Sequence, residues 1–195
     1  MKFSSRSIIG AAFLVVLSAS AFAVIAQDKA PQSKEKTSAE MTPERASTEH
    51  ALLKKWVGAW DAEVTNHMTA SPEKSKGTMT CRAVGELWLV SDFKGEHMGQ
   101  PFEGHEVCGW DSTKRKYSSV WVDTMKATAT IGEGTYDAST RTLTTNAECV
   151  MNGKKQPMTH TIQWKDDNHI TMTMKAPGPD GKPMTGMTIE YKRRN

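Results

Sequence analysis

From Gly58 onward, apolar and polar side chains alternate almost one for one. Trp60, Ala62 and Val64 interleave with Asp61, Glu63 and Thr65, the period of two that marks a strand with one buried face. The same reading predicts strands at Gly77–Val84, Glu86–Lys94, Phe102–Trp110, Lys116–Asp123 and Lys126–Thr135, then at Thr142–Met151, Lys155–Lys165, His169–Lys175 and Thr185–Lys192. Between them lie turn-forming clusters such as Asp111-Ser112-Thr113-Lys114, Asp137-Ala138-Ser139, Asp166-Asp167-Asn168 and Pro177-Gly178-Pro179-Asp180-Gly181. Asn152-Gly153 is the strongest hairpin signal. Only upstream is the period helical: Ala46, His50, Leu53 and Val57 recur, with Leu52 and Trp56 beside them. Thr42 as cap, Pro43 in the first turn and Gly58 as a left-handed stop predict one helix over Pro43–Trp56.

Short strands joined by tight turns predict an all-β, roughly ten-stranded antiparallel meander, and closing it into a barrel removes its edges. A two-sheet sandwich is the alternative, but the connections are too uniformly short for its crossovers. Trp88 and Val90 oppose Leu87, Leu89 and Phe93, so both faces of that strand are apolar and the helix is expected to cover the outer one.

The N-terminus is of another kind. Lys2 and Arg6, the apolar run Ile8–Leu17 and small residues at Ala21, Ala23 and Ala26 read as a signal peptide over residues 1–26, its core too short for a membrane span. Residues 27–42, rich in Lys, Glu, Gln and Ser, read as a disordered tether, leaving one domain over residues 43–195. A periplasmic or secreted, soluble product is expected, because no later stretch is apolar enough to span a membrane. Lys2 and Arg6 belong to the 25 basic residues set against 22 acidic ones, so removing the leader lowers the formal charge from +3 to +1. That balance argues against a nucleic-acid partner.

Cys81, Cys108 and Cys149 allow at most one disulfide, and alternation puts Cys149 on one face with Leu143, Ala147 and Met151, as an inert buried thiol. No CxxC, HxxxH or HExxH spacing occurs, so zinc is disfavoured and any other metal is left open.

Gly58-Ala59-Trp60, straight after the helix, resembles the G-x-W start of lipocalin-type (calycin) barrels. The resemblance implies that Trp60 plugs one barrel end while Arg193 or Arg194 of the last strand stacks over it by a cation–π contact. Gly58, Trp60 and Arg193 are thus the expected closing residues. A longer series resembles the bacterial domain-of-unknown-function family 1579 from about His50 to the C-terminus. It comprises Trp56-Val57-Gly58-Ala59-Trp60, Gly109-Trp110-Asp111, Tyr117 through Trp121-Val122-Asp123-Thr124-Met125, Asp180-Gly181-Lys182 and Tyr191-Lys192-Arg193. That family is uncharacterised and held to be calycin-like. With about ten strands and no C-terminal helix, the chain leans toward the ten-stranded barrels, which include fatty-acid carriers and nitrobindin-like haem proteins.

Met158, His160, Ile162 and Trp164 share a strand face. The nitrobindin resemblance implies His160 as an axial haem ligand, against the plainer reading of a core histidine. Tyr117, Ser119, Trp121 and Asp123 share another face, so Asp123 is either a ligand-orienting or acid–base group or the cap of the turn before Met125. Glu106 shares a face with Cys108 and Trp110, but no nucleophile motif accompanies it. Of 12 methionines, Met172 and Met174 alternate on one strand and Met184 and Met187 lie on the next. They suit adaptable core filling, and clustered thioethers also suit cuprous ion.

The expectation is an exported barrel binding an apolar or amphipathic molecule, or haem, through His160, Asp123, Trp121, Tyr117, Met158, Met172 and Met174. The alternatives are an enzyme using Asp123 or His160 in an open cleft, and a cell-envelope interaction protein with a filled barrel and an exposed apolar patch.

Overall fold

The computed structural model describes residues 42–151, 153–178 and 180–194. The expected leader, the tether up to residue 41, and the turn residues Asn152 and Pro179 lie outside the described residues.

Ten strands follow in order: β1 Gly58–Asn66, β2 Glu73–Val84, β3 Trp88–His97, β4 Gln100–Asp111, β5 Lys116–Asp123, β6 Lys126–Asp137, β7 Thr142–Met151, β8 Lys154–Trp164, β9 His169–Pro177 and β10 Pro183–Arg193. Each pairs antiparallel with the next, and β1 pairs with β10 from Trp60↔Arg193 to Asn66↔Met187, so the sheet closes into a barrel. Closure leaves no strand edge exposed, the reason a meander of this length curls up.

The helix differs from expectation. Within the expected Pro43–Trp56 span only α1, His50–Lys54, is α-helical, and Glu49 rather than Thr42 takes the N-cap position. The Ser47 amide donates to His50 Nδ1 at 2.9 Å, a local turn that supplants the expected early turns of the helix. Tight bonds from Trp56 N–H to Leu53 O and from Val57 N–H to Lys54 O then swing the chain into β1. Gly58 is therefore no helix cap but the first residue of β1, at φ +130°. Nor does α1 cover the outer wall. Leu52 and Leu53 are buried and face the barrel interior, whereas Trp88 stays 46% exposed on the outside. Its indole lies flat over Gly109, where an added Cβ would come within 2.5 Å of the ring.

The end of the barrel beneath α1 is filled with aromatic rings. Trp56 meets Trp60, Trp164 and Tyr191 edge-on at centroid distances of 5.6, 5.9 and 5.4 Å. Trp60 has no exposed surface, and its indole N–H donates to Trp56 O at 2.8 Å. Cys81, Cys108 and Cys149 are buried free thiols.

Candidate functional site

Above this aromatic floor the barrel is hollow. A cavity of about 260 Å³ extends from Leu52, Leu53 and Trp56 toward the far rim, where Glu96, His97, Asp123 and Lys126 line it beside the β3–β4 and β5–β6 hairpins. Six methionines line it: Met79, Met125, Met158, Met172, Met174 and Met187. All but Met125, which lies in the β5–β6 turn, follow from the alternation, which turns every second residue of a barrel strand inward.

Tyr117, Trp121, Asp123, Met158, His160, Met172 and Met174 all line this one cavity. Tyr117 is tied to the helix end, its hydroxyl donating to Glu49 O at 2.9 Å, and burial pushes its ionisation upward. Trp121 stacks on Phe102 at 6.5 Å and donates its indole N–H to Asp123 Oδ2 at 2.9 Å. The Met125 amide donates to Asp123 Oδ1 at 2.9 Å, and Lys126 Nζ lies 3.7 Å from Oδ2. Both oxygens of Asp123 are thus engaged in capping the β5–β6 turn and holding Trp121. His160 Nε2 lies 2.7 Å from Met158 Sδ. Burial, aided by the Lys126 charge, lowers its pKa to about 4, so the ring is neutral at neutral pH.

Glu106, absent from the expected site, is the cavity's distinctive polar group. It lies on β4 opposite Ser91 of β3 and Trp121 of β5. Removal from water raises its pKa from 4.5 to about 7, and the nearby Ser119 hydroxyl only partly offsets this. The available signal was its place in Phe102, Gly104, Glu106, Cys108 and Trp110, a glutamate where the alternation calls for apolar groups. Next to it, the Cys81 thiol donates to Ser91 Oγ at 3.3 Å, and burial pushes Cys81 up to about 11. A thiol this reluctant to ionise is a poor nucleophile.

Among the described residues no group of three or more His, Cys, Asp or Glu side chains is placed to hold a metal. No helix among them is long and apolar enough to cross a membrane.

At the barrel floor Arg193 Cζ sits 4.0 Å from the centroid of Trp60, and an added Cβ on Gly58 would lie 2.8 Å from Arg193 Nη1. The three expected closing residues therefore meet.

Two solved structures share the fold. Rv2717c from M. tuberculosis aligns with TM-score 0.58 and 11% identity over 77% of this chain and 100% of that one. The S-type phycobiliprotein lyase CPES from Guillardia theta aligns with TM-score 0.51 and 12% identity over 77% of this chain and 94% of that one. No curated protein matches the chain in sequence. The profile of one protein family matches residues 45–193, which take in α1 and all ten strands, and the chain belongs to that family, described as a protein of unknown function, DUF1579.

Proposed function

We propose that the barrel binds one small apolar or amphipathic molecule in its interior, with the guest's polar end against Glu106. The observation that carries this reading is the cavity itself: an apolar, methionine- and aromatic-lined space with one ionisable carboxyl set deep in its wall. Apolar cavities with a few placed polar groups are the usual form of small-ligand sites. Methionine adapts its shape to varied guests.

Volume bounds the guest. An apolar cavity of roughly 150 Å³ holds benzene, so about 260 Å³ suits a two-ring aromatic or a chain of about ten carbons. The four-ring haem macrocycle exceeds this space. The residues do not fit haem, although the neutral His160 faces the cavity.

The phycobiliprotein lyase shares the architecture alone; the proposal for this chain rests on its own interior. Export to the periplasm or beyond is part of the proposal and is supported by Lys2, Arg6 and the apolar run Ile8–Leu17. The rival interaction-protein reading has one feature in its favour. Val107, Val120 and Ile131 form a row on the outer wall beside the buried Val90, with Val120 43% and Ile131 63% exposed.

The test is a titration with a naphthalene probe, read by tryptophan fluorescence. The proposal predicts saturable binding at one site, lost when Met172→Trp fills the cavity. A probe that fails to bind, or that binds the filled variant equally well, overturns it.

A further inference from the structure

One wall of the cavity differs chemically from the rest. Register sets His160 of β8 opposite Met174 of β9, and Met174 opposite Met187 of β10. Met158 stands two residues from His160 on the same strand, and all four side chains line the cavity. Directly opposed residues in a sheet have Cβ atoms about 5 Å apart, so flexible thioether chains on this row can turn toward one point beside the imidazole. His160 Nε2 and Met158 Sδ, 2.7 Å apart, can both touch a single guest atom. Among the described residues, that sulfur is the only hydrogen-bond partner of the ring. A structural histidine in a core normally engages a carbonyl, carboxylate or water. This one contacts the Met158 thioether, with Met174 opposite it on β9 and Thr145 opposite it on β7.

From this juxtaposition we propose that His160, Met158, Met174 and Met187 form a binding site for a soft monovalent cation, with cuprous ion the natural occupant. Thioether sulfur is a soft donor that selects cuprous ion over magnesium, calcium or manganese. The four donors carry no negative charge, which favours a monovalent ion over a dication. Lys126 acts on His160 electrostatically and strengthens that preference, because its charge repels a dication more strongly. Zinc sites draw on thiolate, imidazole and carboxylate, and this wall offers only one such group. The site requires these side chains and not the empty volume, so it stands or falls apart from the apolar-guest reading.

The experiment uses the full chain, purified under reducing, oxygen-free conditions. Cuprous ion is offered from its bicinchoninate complex and the chelator's colour is followed. Silver ion, redox-inert and equally soft, is then added to protein carrying 13C-methyl methionine for NMR. One cuprous ion per chain is expected, and silver should shift the methyl signals of Met158, Met174 and Met187 while sparing Met68 and Met98. Met174→Leu with Met187→Leu keeps core volume and the fold, as circular dichroism will verify. That pair should weaken binding by more than the roughly 10–100-fold lost with an outer-shell partner. His160→Phe should do likewise. Absence of stoichiometric binding, shifts confined to other methionines, or undiminished affinity in the leucine pair would each overturn the proposal.

Discussion

The guanidinium of Arg193 lies 4.0 Å over the Trp60 ring while donating to Val57 O at 2.7 Å, Lys55 O at 2.6 Å and Asp167 O at 3.1 Å. One side chain near the C-terminus thus ties the helix–β1 connection and the β8–β9 turn to the plug of the barrel. Arg193→Ala loses a cation–π contact and three charge-assisted bonds, so urea unfolding should show a loss of about 2–4 kcal/mol. Arg193→Lys restores the charge without the planar fork and should recover less than half of it.

Gly58 answers to the same residue. At φ +130°, with Arg193 Nη1 2.8 Å from an added Cβ, Gly58→Ala is strained twice over. Its thermal midpoint should fall, corresponding to roughly 1–3 kcal/mol. Gly85→Ala, at φ +59° with open space around it, should cost less.

Glu106 and His160 oppose one another in their pH dependence. Glu106 titrates near 7 when folded against 4.5 unfolded, so between those values the folded state holds the extra proton and stability falls as pH rises. His160 titrates near 4 when folded against 6.5 unfolded, so between those values the unfolded state holds the extra proton and stability rises with pH. From about pH 4.5 to 6.5 the two slopes cancel, and wild-type stability should be nearly flat. Glu106→Gln should uncover the rising slope and His160→Phe the falling one, each up to about 1.4 kcal/mol per pH unit. Urea melts at pH 5 and pH 6 check both signs.

A carboxylate guest will sense Glu106 directly. Below pH 7 the protonated side chain can donate to the guest; above it, two like charges would share one largely apolar cavity. Decanoate should therefore bind up to about tenfold more weakly per pH unit above 7, while decanol should not. Glu106→Gln should abolish the difference in calorimetric titrations.

Most of the architecture was legible because a barrel strand repeats every two residues, and turn residues such as Asp111 and Asp137 punctuate it locally. The helix was less so. Ala46, His50 and Leu53 have helical spacing, but the Ser47–His50 turn and the docking of Leu52 and Leu53 into the barrel end decide where helix forms. The inward orientation of His160, Trp121 and Met174 also follows from the period. Their isolation or engagement does not: Asp123 has both oxygens occupied, whereas Glu106 sits in the wall of a cavity whose existence depends on how rings from distant strands pack. A lone glutamate in an inward series was the one local sign of it.

A hollow interior that admits an apolar guest has a direct consequence for mass. Native mass spectrometry of the wild type and of Met172→Trp, each mixed with decanol, tests it most directly. A single decanol adduct is expected on the wild type and none on the variant. A wild type that carries no adduct, or a variant that retains it, would mean that the guest does not occupy the barrel interior.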